Sequence, residues 1–315
     1  MQEEQSYRKA IELDPKNADA HFWLGRILED KGDIEGAERS YRRVIELDPK
    51  DAIAQLFLGD ILKDKGAIDD AEESYRRYIE LRPECPCGHS GLAHALEDKG
   101  EYDGAEESYR RAIELDPKCW PDFRGLGRVL KRKGDFEGAQ QSFRRVIELR
   151  PKDSEAHVDL GLVLEAKGVL KSAEKCYRKA IRIDPRNVFA HAFLGDVQEE
   201  QDDNDGAEVS FRRVIELDPE RHYSHGALAL FLEKKGVYDG AEESYRRAIE
   251  LNPKCWFYHD GLGRNLKEHG DFEGAQQSFK RASELHEHSD DDDDNDEGDD
   301  EGSDEENETH EEEEG

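Results

Sequence analysis

Histidine and cysteine are the first residues to test for chemistry, and both recur at regular positions. His21, His89, His157, His191, His225 and His259 fall at intervals of 34 or 68 residues. Ligands of one metal ion must converge to bonds of about 2 Å. Side chains set whole structural repeats apart do not converge, so these six read as packing residues. Cys85, Cys87 and His89 form a C-x-C-x-H cluster, but a structural zinc needs a fourth ligand and Pro86 restrains the pair, so no metal is expected there. Cys85, Cys119 and Cys255 share one repeated position, and Lys118 and Lys254 stand beside two of them. A thiol at a helix N-terminus next to a cation has a lowered pKa. Two readings follow: reactive or regulatory thiols, or cap residues exchanged at modest cost.

The remaining candidates are charged. Gln201-Asp202-Asp203-Asn204-Asp205 has the composition of a calcium loop without its alternate ligand spacing or its closing glutamate, and reads as an acidic turn. Arg124, Arg128, Lys131 and Arg132 make a positive stripe on an acidic chain, with Arg264 and Lys267 at matching places further on. Such a stripe suits an acidic ligand segment; it equally suits an ordinary solvated helix face. There is no glycine-rich phosphate loop, no strand pattern, and no Ser-His-Asp or Cys-His set. The expectation is a chain that is not an enzyme, with no catalytic residue, no metal, no cofactor and no small-molecule substrate.

The elements that hold these residues are set by proline. Pro15, Pro49, Pro83, Pro117, Pro151, Pro185, Pro219 and Pro253 are spaced by 34 residues without an insertion or deletion, and a period in this range signals a stacked array. In the unit from Ala18 to Asp51, Ala20, Phe22, Trp23, Leu24, Ile27 and Leu28 are apolar at helical intervals, predicting a first (A) helix that ends at Lys31-Gly32. Asp33 is placed to cap a second (B) helix, which Pro49 ends. Counting from Ala18, the eighth place holds Gly25, Gly59, Gly127 and Gly161, with Ala93 and Ala229 as exceptions, and the twentieth holds Ala37 and its equivalents. These two small residues are expected to face each other and let the helices approach, beside a recurring aromatic such as Tyr41 or Phe143. A longer period overlies the first: KGEYDGAEESYRRAIELDPKCW at 99–120 returns almost unchanged at 235–256, an offset of 136 residues or four units. Duplication of a four-unit block points to growth of a scaffold.

Composition narrows the partners. The 315 residues carry a formal charge of −32. Residues 286–315 hold 19 acids and no Lys or Arg, which leaves 59 acids against 46 bases before them. Such acidity disfavours nucleic acid and anionic membranes, since both are held by Lys and Arg, and favours proteins, basic ones in particular. No stretch approaches the eighteen or so apolar residues of a membrane span, the N-terminus lacks the regions of a signal peptide, and five scattered cysteines imply no disulfide framework. A cytoplasmic protein is expected, with the nucleus as a second compartment.

The pattern of Leu24-Gly25, Leu28, Ala37, Tyr41, Val44 and Pro49 resembles the tetratricopeptide repeat. The resemblance implies an all-α, right-handed superhelical solenoid of helical hairpins. Eight repeats span 18–289 (18–51, 52–85, 86–119, 120–153, 154–187, 188–221, 222–255 and 256–289). A partial repeat, a lone second helix, occupies 1–17, and a disordered acidic tail spans 286–315. Met1 enters partway through a repeat, consistent with a fragment of a longer protein or with a frayed cap. Ser283 replaces the isoleucine found at Ile45 and Ile249, an expected stop to the stack.

Function follows from the resemblance as expectation: a scaffold or adaptor that binds a partner's segment in a concave groove lined by the A helices. The second, fifth, ninth, twelfth and thirteenth places would face it. That places Arg124, Arg128, Lys131, Arg132, Arg264 and Lys267 there with the apolar Phe22, Leu56, Phe189 and Phe257. The carboxylate clamp of chaperone-binding relatives needs Lys at the fifth place and Asn at the ninth; no repeat has that Asn, so the clamp is not expected. The asparagine ladder of the sugar-transferring relative is likewise missing from the sixth place. Two alternatives stand beside the scaffold: an acidic chaperone that holds basic clients through its tail, and a regulatory fragment of a larger enzyme.

Overall fold

The computed structural model describes residues 2–289, and the chain divides into two compact units after Asp202. In the first unit the helices are α1 (Gln2–Leu13), α2 (Ala18–Glu29), α3 (Ile34–Leu47), α4 (Ala52–Asp64), α5 (Ile68–Leu81), α6 (Pro86–Asp98), α7 (Tyr102–Leu115), α8 (Trp120–Arg132), α9 (Phe136–Leu149), α10 (Ser154–Ala166), α11 (Leu170–Ile183) and α12 (Val188–Glu200). The second holds α13 (Asn204–Leu217), α14 (His222–Lys234), α15 (Tyr238–Leu251), α16 (Trp256–His269) and α17 (Phe272–Ser289). Even-numbered helices are the A helices and odd-numbered ones the B helices. Within each unit an A helix packs on the B helix that follows it, and that B helix packs on the next A helix. Among the described residues there is no strand and no helix long and apolar enough to cross a membrane.

Local chemistry places the helix ends. Asn17 and Asp51 accept from the backbone N–H of Ala20 and Ala54 at 2.9 Å, and Asp33 from Gly36 at 2.9 Å; an N-cap of this kind contributes about 1 kcal/mol. Cys85, Cys119 and Cys255 occupy the same cap position without a side-chain bond to the helix N–H groups. The histidines belong to these corners. The Nε2–H of His21 donates to the Pro15 carbonyl at 3.2 Å and that of His225 to Pro219 at 3.0 Å, tying each A helix to the proline turn before it. With no proline at its end, α17 runs to Ser289, so the first residues of the acidic segment are helical; the expected disorder of the remainder lies outside the described residues.

The core is organised by one aromatic ring per hairpin. Tyr41, Tyr75, Tyr109, Tyr177 and Tyr245 are wholly buried. The eighth-place glycine is where the ring sits: a Cβ on Gly25 would lie 2.7 Å from Tyr41 Cε1, and one on Gly127 2.7 Å from Phe143 Cζ. Both are far inside van der Waals contact. The small residue therefore makes room for the ring, a stricter demand than the helix-to-alanine approach that spacing suggests. Where the eighth place is Ala93 or Ala229, the clearance moves to the other side of the ring. Tyr109 then lies against Gly125, and Tyr245 against Gly261, whose Cβ would fall 2.5 Å away.

Each turn between A and B helices needs a left-handed residue, and glycine supplies it at φ 74° in Gly32 and 79° in Gly134. In the sixth repeat Asp202 holds that conformation, at φ 61°. A side chain there costs about 1 kcal/mol, somewhat less for Asp than for most residues. Asp202→Gly is therefore expected to stabilise the chain by about 0.5–1 kcal/mol in chemical denaturation, whereas Gly134→Asp destabilises it by a similar amount.

Candidate protein-binding face

A-helix residues at the ninth and twelfth places connect the buried rings to the surface. The phenol of Tyr41 donates to Glu29 at 2.6 Å, that of Tyr109 to Glu97 at 2.7 Å, and those of Tyr177 and Tyr245 to Glu165 and Glu233 at 2.6 and 2.5 Å. Burial first, then the neighbouring carboxylate, hold these phenols well above the usual tyrosine range. An arginine then bridges from the following A helix. Arg128 donates to both oxygens of Glu97, Nε at 3.0 Å and Nη2 at 3.2 Å, and Arg264 does the same to Glu233. These are the same three residues in each copy of the duplicated block. Burial works against the charge on Arg128, but the bonds and charge of Glu97 keep its pKa above the ordinary arginine value.

The predicted site residues divide accordingly. Arg124, only 11% exposed, is held by Asp153 at 2.9 Å and Glu155 at 3.0 Å and lies over the Trp120 ring. Arg264 also pairs with Asp260. Arg132 is exposed and reaches the Tyr102 hydroxyl at 3.4 Å. Lys131 is half-buried and Lys267 exposed, and neither makes an ion pair with a described residue. Phe22 is half-buried among Trp23, Tyr41 and Phe57, and Leu56 packs against the core. Phe189 and Phe257 are 37% and 38% exposed. The positive stripe expected from sequence thus contains two arginines, Arg124 and Arg128, already engaged by acids 29 to 31 residues away.

Two residues that spacing did not single out join this face. Ile53 and Tyr223 stand at the second place, as Phe189 and Phe257 do, and all four are exposed. A large apolar residue recurs at this A-helix place, and the sequence reading took Phe189 and Phe257 from it but not Ile53 or Tyr223. The outer B-helix surface is the converse. Lys65 and Arg42 both donate to Glu38, and Lys133 and Arg110 to Glu106, so each carboxylate braces two repeats. These bonds hold Glu38 and Glu106 below the usual carboxylate range.

The thiols differ from one another. Burial, then Asp122, pushes Cys119 up to about 12, against the lowering that a helix N-terminus and Lys118 suggest. Cys85 is lowered instead: burial opposes ionisation, but a bond from Tyr78 and contact with Cys87 favour it.

Tandem antiparallel helix pairs locked by a buried ring and joined B helix to A helix define a helical-repeat binding protein. Family models described as tetratricopeptide repeat match residues 4–52, 27–86, 124–188 and 194–254, and a second of the same description matches 86–119. The chain belongs to the tetratricopeptide repeat family. No curated protein sequence matches it. Among solved structures it is similar to a tetratricopeptide repeat protein from Parabacteroides merdae (17% identity, TM-score 0.61, covering 83% of this chain and 99% of that one). It is also similar to YrrB, described as a TPR protein with an unusual peptide-binding site (23%, 0.52, 58% and 95%). A third likeness is to the APC/C hetero-tetramer Cut9-Hcn1 (20%, 0.57, 82% and 51%). Likeness at these identities concerns the fold.

Asp159 yields a test of the electrostatics of this face. Burial raises its carboxyl to about 6, against the pull of Arg124, Lys131 and Arg128. The folded state therefore binds this proton more tightly than the unfolded one, so stability from this group is present at pH 4 and falls as pH rises through about 6. Asp159→Asn should raise the denaturation midpoint at pH 7.5 and lose that advantage by pH 4. A lowered midpoint at pH 7.5 would mean that the approach to Arg124 at 3.4 Å outweighs desolvation.

Proposed function

We propose that the chain is a protein-interaction scaffold whose A-helix face takes up an extended segment of a partner, anchored by apolar side chains and oriented by the Lys131, Arg132 and Lys267 charges. One observation carries the reading: exposed Ile53, Phe189, Tyr223 and Phe257 recur at a single A-helix place, while B-helix glutamates such as Glu38 are engaged by an arginine of their own helix and a lysine of the next repeat. On the second unit, α14 and α16 touch and carry Tyr223 and Phe257 at the same repeat place, with Lys267 exposed on the same helix as Phe257. Aromatic anchors beside a cation suit a segment carrying both apolar and acidic residues. Lys131 and Arg132 offer the equivalent charge on the first unit, Phe22 and Leu56 its apolar floor, and Arg124, Arg128 and Arg264 hold the helices in place. That YrrB is described as having a peptide-binding site agrees with a peptide partner.

A second reading rests on the 19 acids and no Lys or Arg of residues 286–315, a composition suited to basic client proteins. One capture experiment from cell lysate separates the two, comparing the full chain, the Tyr223→Ala/Phe257→Ala variant and a chain ending at Ser289. Partners lost from the double variant and kept by the shortened chain are the expected result. Basic proteins lost only on shortening, in a manner abolished by salt, would give the binding role to the tail. Partners unchanged in both would overturn the A-helix face.

A further inference from the structure

The junction between the second and third repeats departs from the others at several positions together. Tyr78 stands where Val44, Val146 and Val214 or an alanine stand elsewhere. Its ring is buried at 2% exposure, and the space comes from Gly88, where Ala20 and Ala54 have a methyl: a Cβ on Gly88 would collide with Tyr78 Cδ1. An exchange on each side of the interface brings the phenol to Cys85, to whose Sγ it donates at 2.9 Å. Cys85 is the N-cap of the thirteen-residue α6, Pro86 is its first residue, and exposed Cys87 lies in the same turn. Cys87 follows Cys85 by two residues, across the first helical residue Pro86.

Charge around the pair is divided. Burial opposes ionisation of Cys85, while the Tyr78 phenol, then Cys87 and last the charge of Arg82 favour its thiolate. Burial, then Cys85, with buried Asp122 further off, keep the proton on Cys87. Cys119 shows that a cap position alone does not produce this, since burial, and after it the Asp122 carboxylate, raise its thiol. Two residues span at most about 7 Å of chain, close to the 4.4–6.8 Å between the Cα atoms of a disulfide.

We propose that Cys85 and Cys87 are a redox-active dithiol that undergoes exchange with a low-molecular-weight disulfide of the glutathione class. The Cys85 thiolate attacks one sulfur of the external disulfide. The external S–S bond breaks, a mixed disulfide forms on Cys85, and the first thiolate leaves with the proton from Cys87. The Cys87 thiolate then attacks the Cys85 sulfur, displacing the second external thiolate, which is protonated from solvent. The dithiol loses two electrons and two protons, and the external disulfide becomes two thiols. Closure draws Cys85 Sγ from the Tyr78 phenol, so the oxidation state is felt at the packing of α5 on α6. This inference does not rest on the proposed scaffold role.

The full chain, treated with iodoacetamide at pH 7 and read by peptide mass spectrometry, should label Cys85 at least tenfold faster than Cys119. With oxidised glutathione it should release two equivalents of glutathione, and the peptide holding Cys85 and Cys87 should lose two hydrogens. Cys87→Ser should stop at a mixed disulfide on Cys85 with one equivalent released. Tyr78→Phe, with unchanged circular dichroism, should slow the reaction about threefold, because a tenfold smaller thiolate fraction is partly offset by greater nucleophilicity. Labelling of Cys85 no faster than Cys119, or wild-type chain that stops at the mixed disulfide, would overturn the proposal. An unchanged rate in Tyr78→Phe would overturn the geometry on which it stands.

Discussion

Within each unit the hairpins close over an aromatic ring that needs a glycine beside it on an A helix, on one side or, for Tyr75 between Gly59 and Gly91, on both, and much else follows from where that room is. The ring enters from the B helix, and a glycine must stand beside it, either in its own repeat, as Gly25 does for Tyr41, or in the next, as Gly125 does for Tyr109. Volume here is strictly conserved because interiors are packed to crystalline density. The exchange of Gly for Ala at the eighth place in repeats three and seven is matched by glycine at the sixth place in repeats four and eight. A ring shared in this way couples neighbours, the interface on which a stack of repeats depends for stability.

The same ring organises the charge of the A-helix face. Its hydroxyl, buried with it, needs an acceptor, and a carboxylate on the A helix provides one; that carboxylate in turn draws an arginine from the next repeat. Arginines at the ninth place are thereby committed to holding repeats together. The B-helix lysine–glutamate braces do a similar job on the outer surface, where ion pairs are individually worth little. Beside these paired charges stand the exposed second-place apolar residues and the lysines Lys131 and Lys267, the groups proposed to meet a partner. An acidic chain thus presents a face that is mixed in character and apolar in its anchors.

Much of the fold was legible in the sequence. Proline spacing located the helices up to α16 because proline at a fixed phase follows every B helix but α17, and Asn17, Asp33 and Asp51 marked starts by a local bond that needs no knowledge of the rest. What spacing could not supply was the partner of each side chain across the hairpin. Gly25 was matched to Ala37 rather than to Tyr41, although the joint exchange of Ala93 with Gly125 and of Ala229 with Gly261 was present in the sequence as a signal. Arg128 looked available because Glu97 lies 31 residues earlier, yet the pair recurs as Glu233 and Arg264 in the duplicated block. Histidine was read as a packing residue, and the bond that His21, His191, His225 and His259 make to the proline carbonyl depends on the turn geometry. The three cap thiols were indistinguishable by position; only the residues packed over them, Tyr78 or Asp122, separate them.

The claim that a shared ring sets the repeat interface is tested most directly by a double-mutant cycle at Ala93 and Gly125. Gly125→Ala alone should cost about 1–3 kcal/mol by overpacking Tyr109, and Ala93→Gly alone about 0.5–1 kcal/mol as a glycine within a helix. If the ring can use clearance on either side, the double variant will be more stable than the sum of the two by at least about 1 kcal/mol. Additivity within about 0.5 kcal/mol would show that the two positions do not share the ring, and would contradict the account.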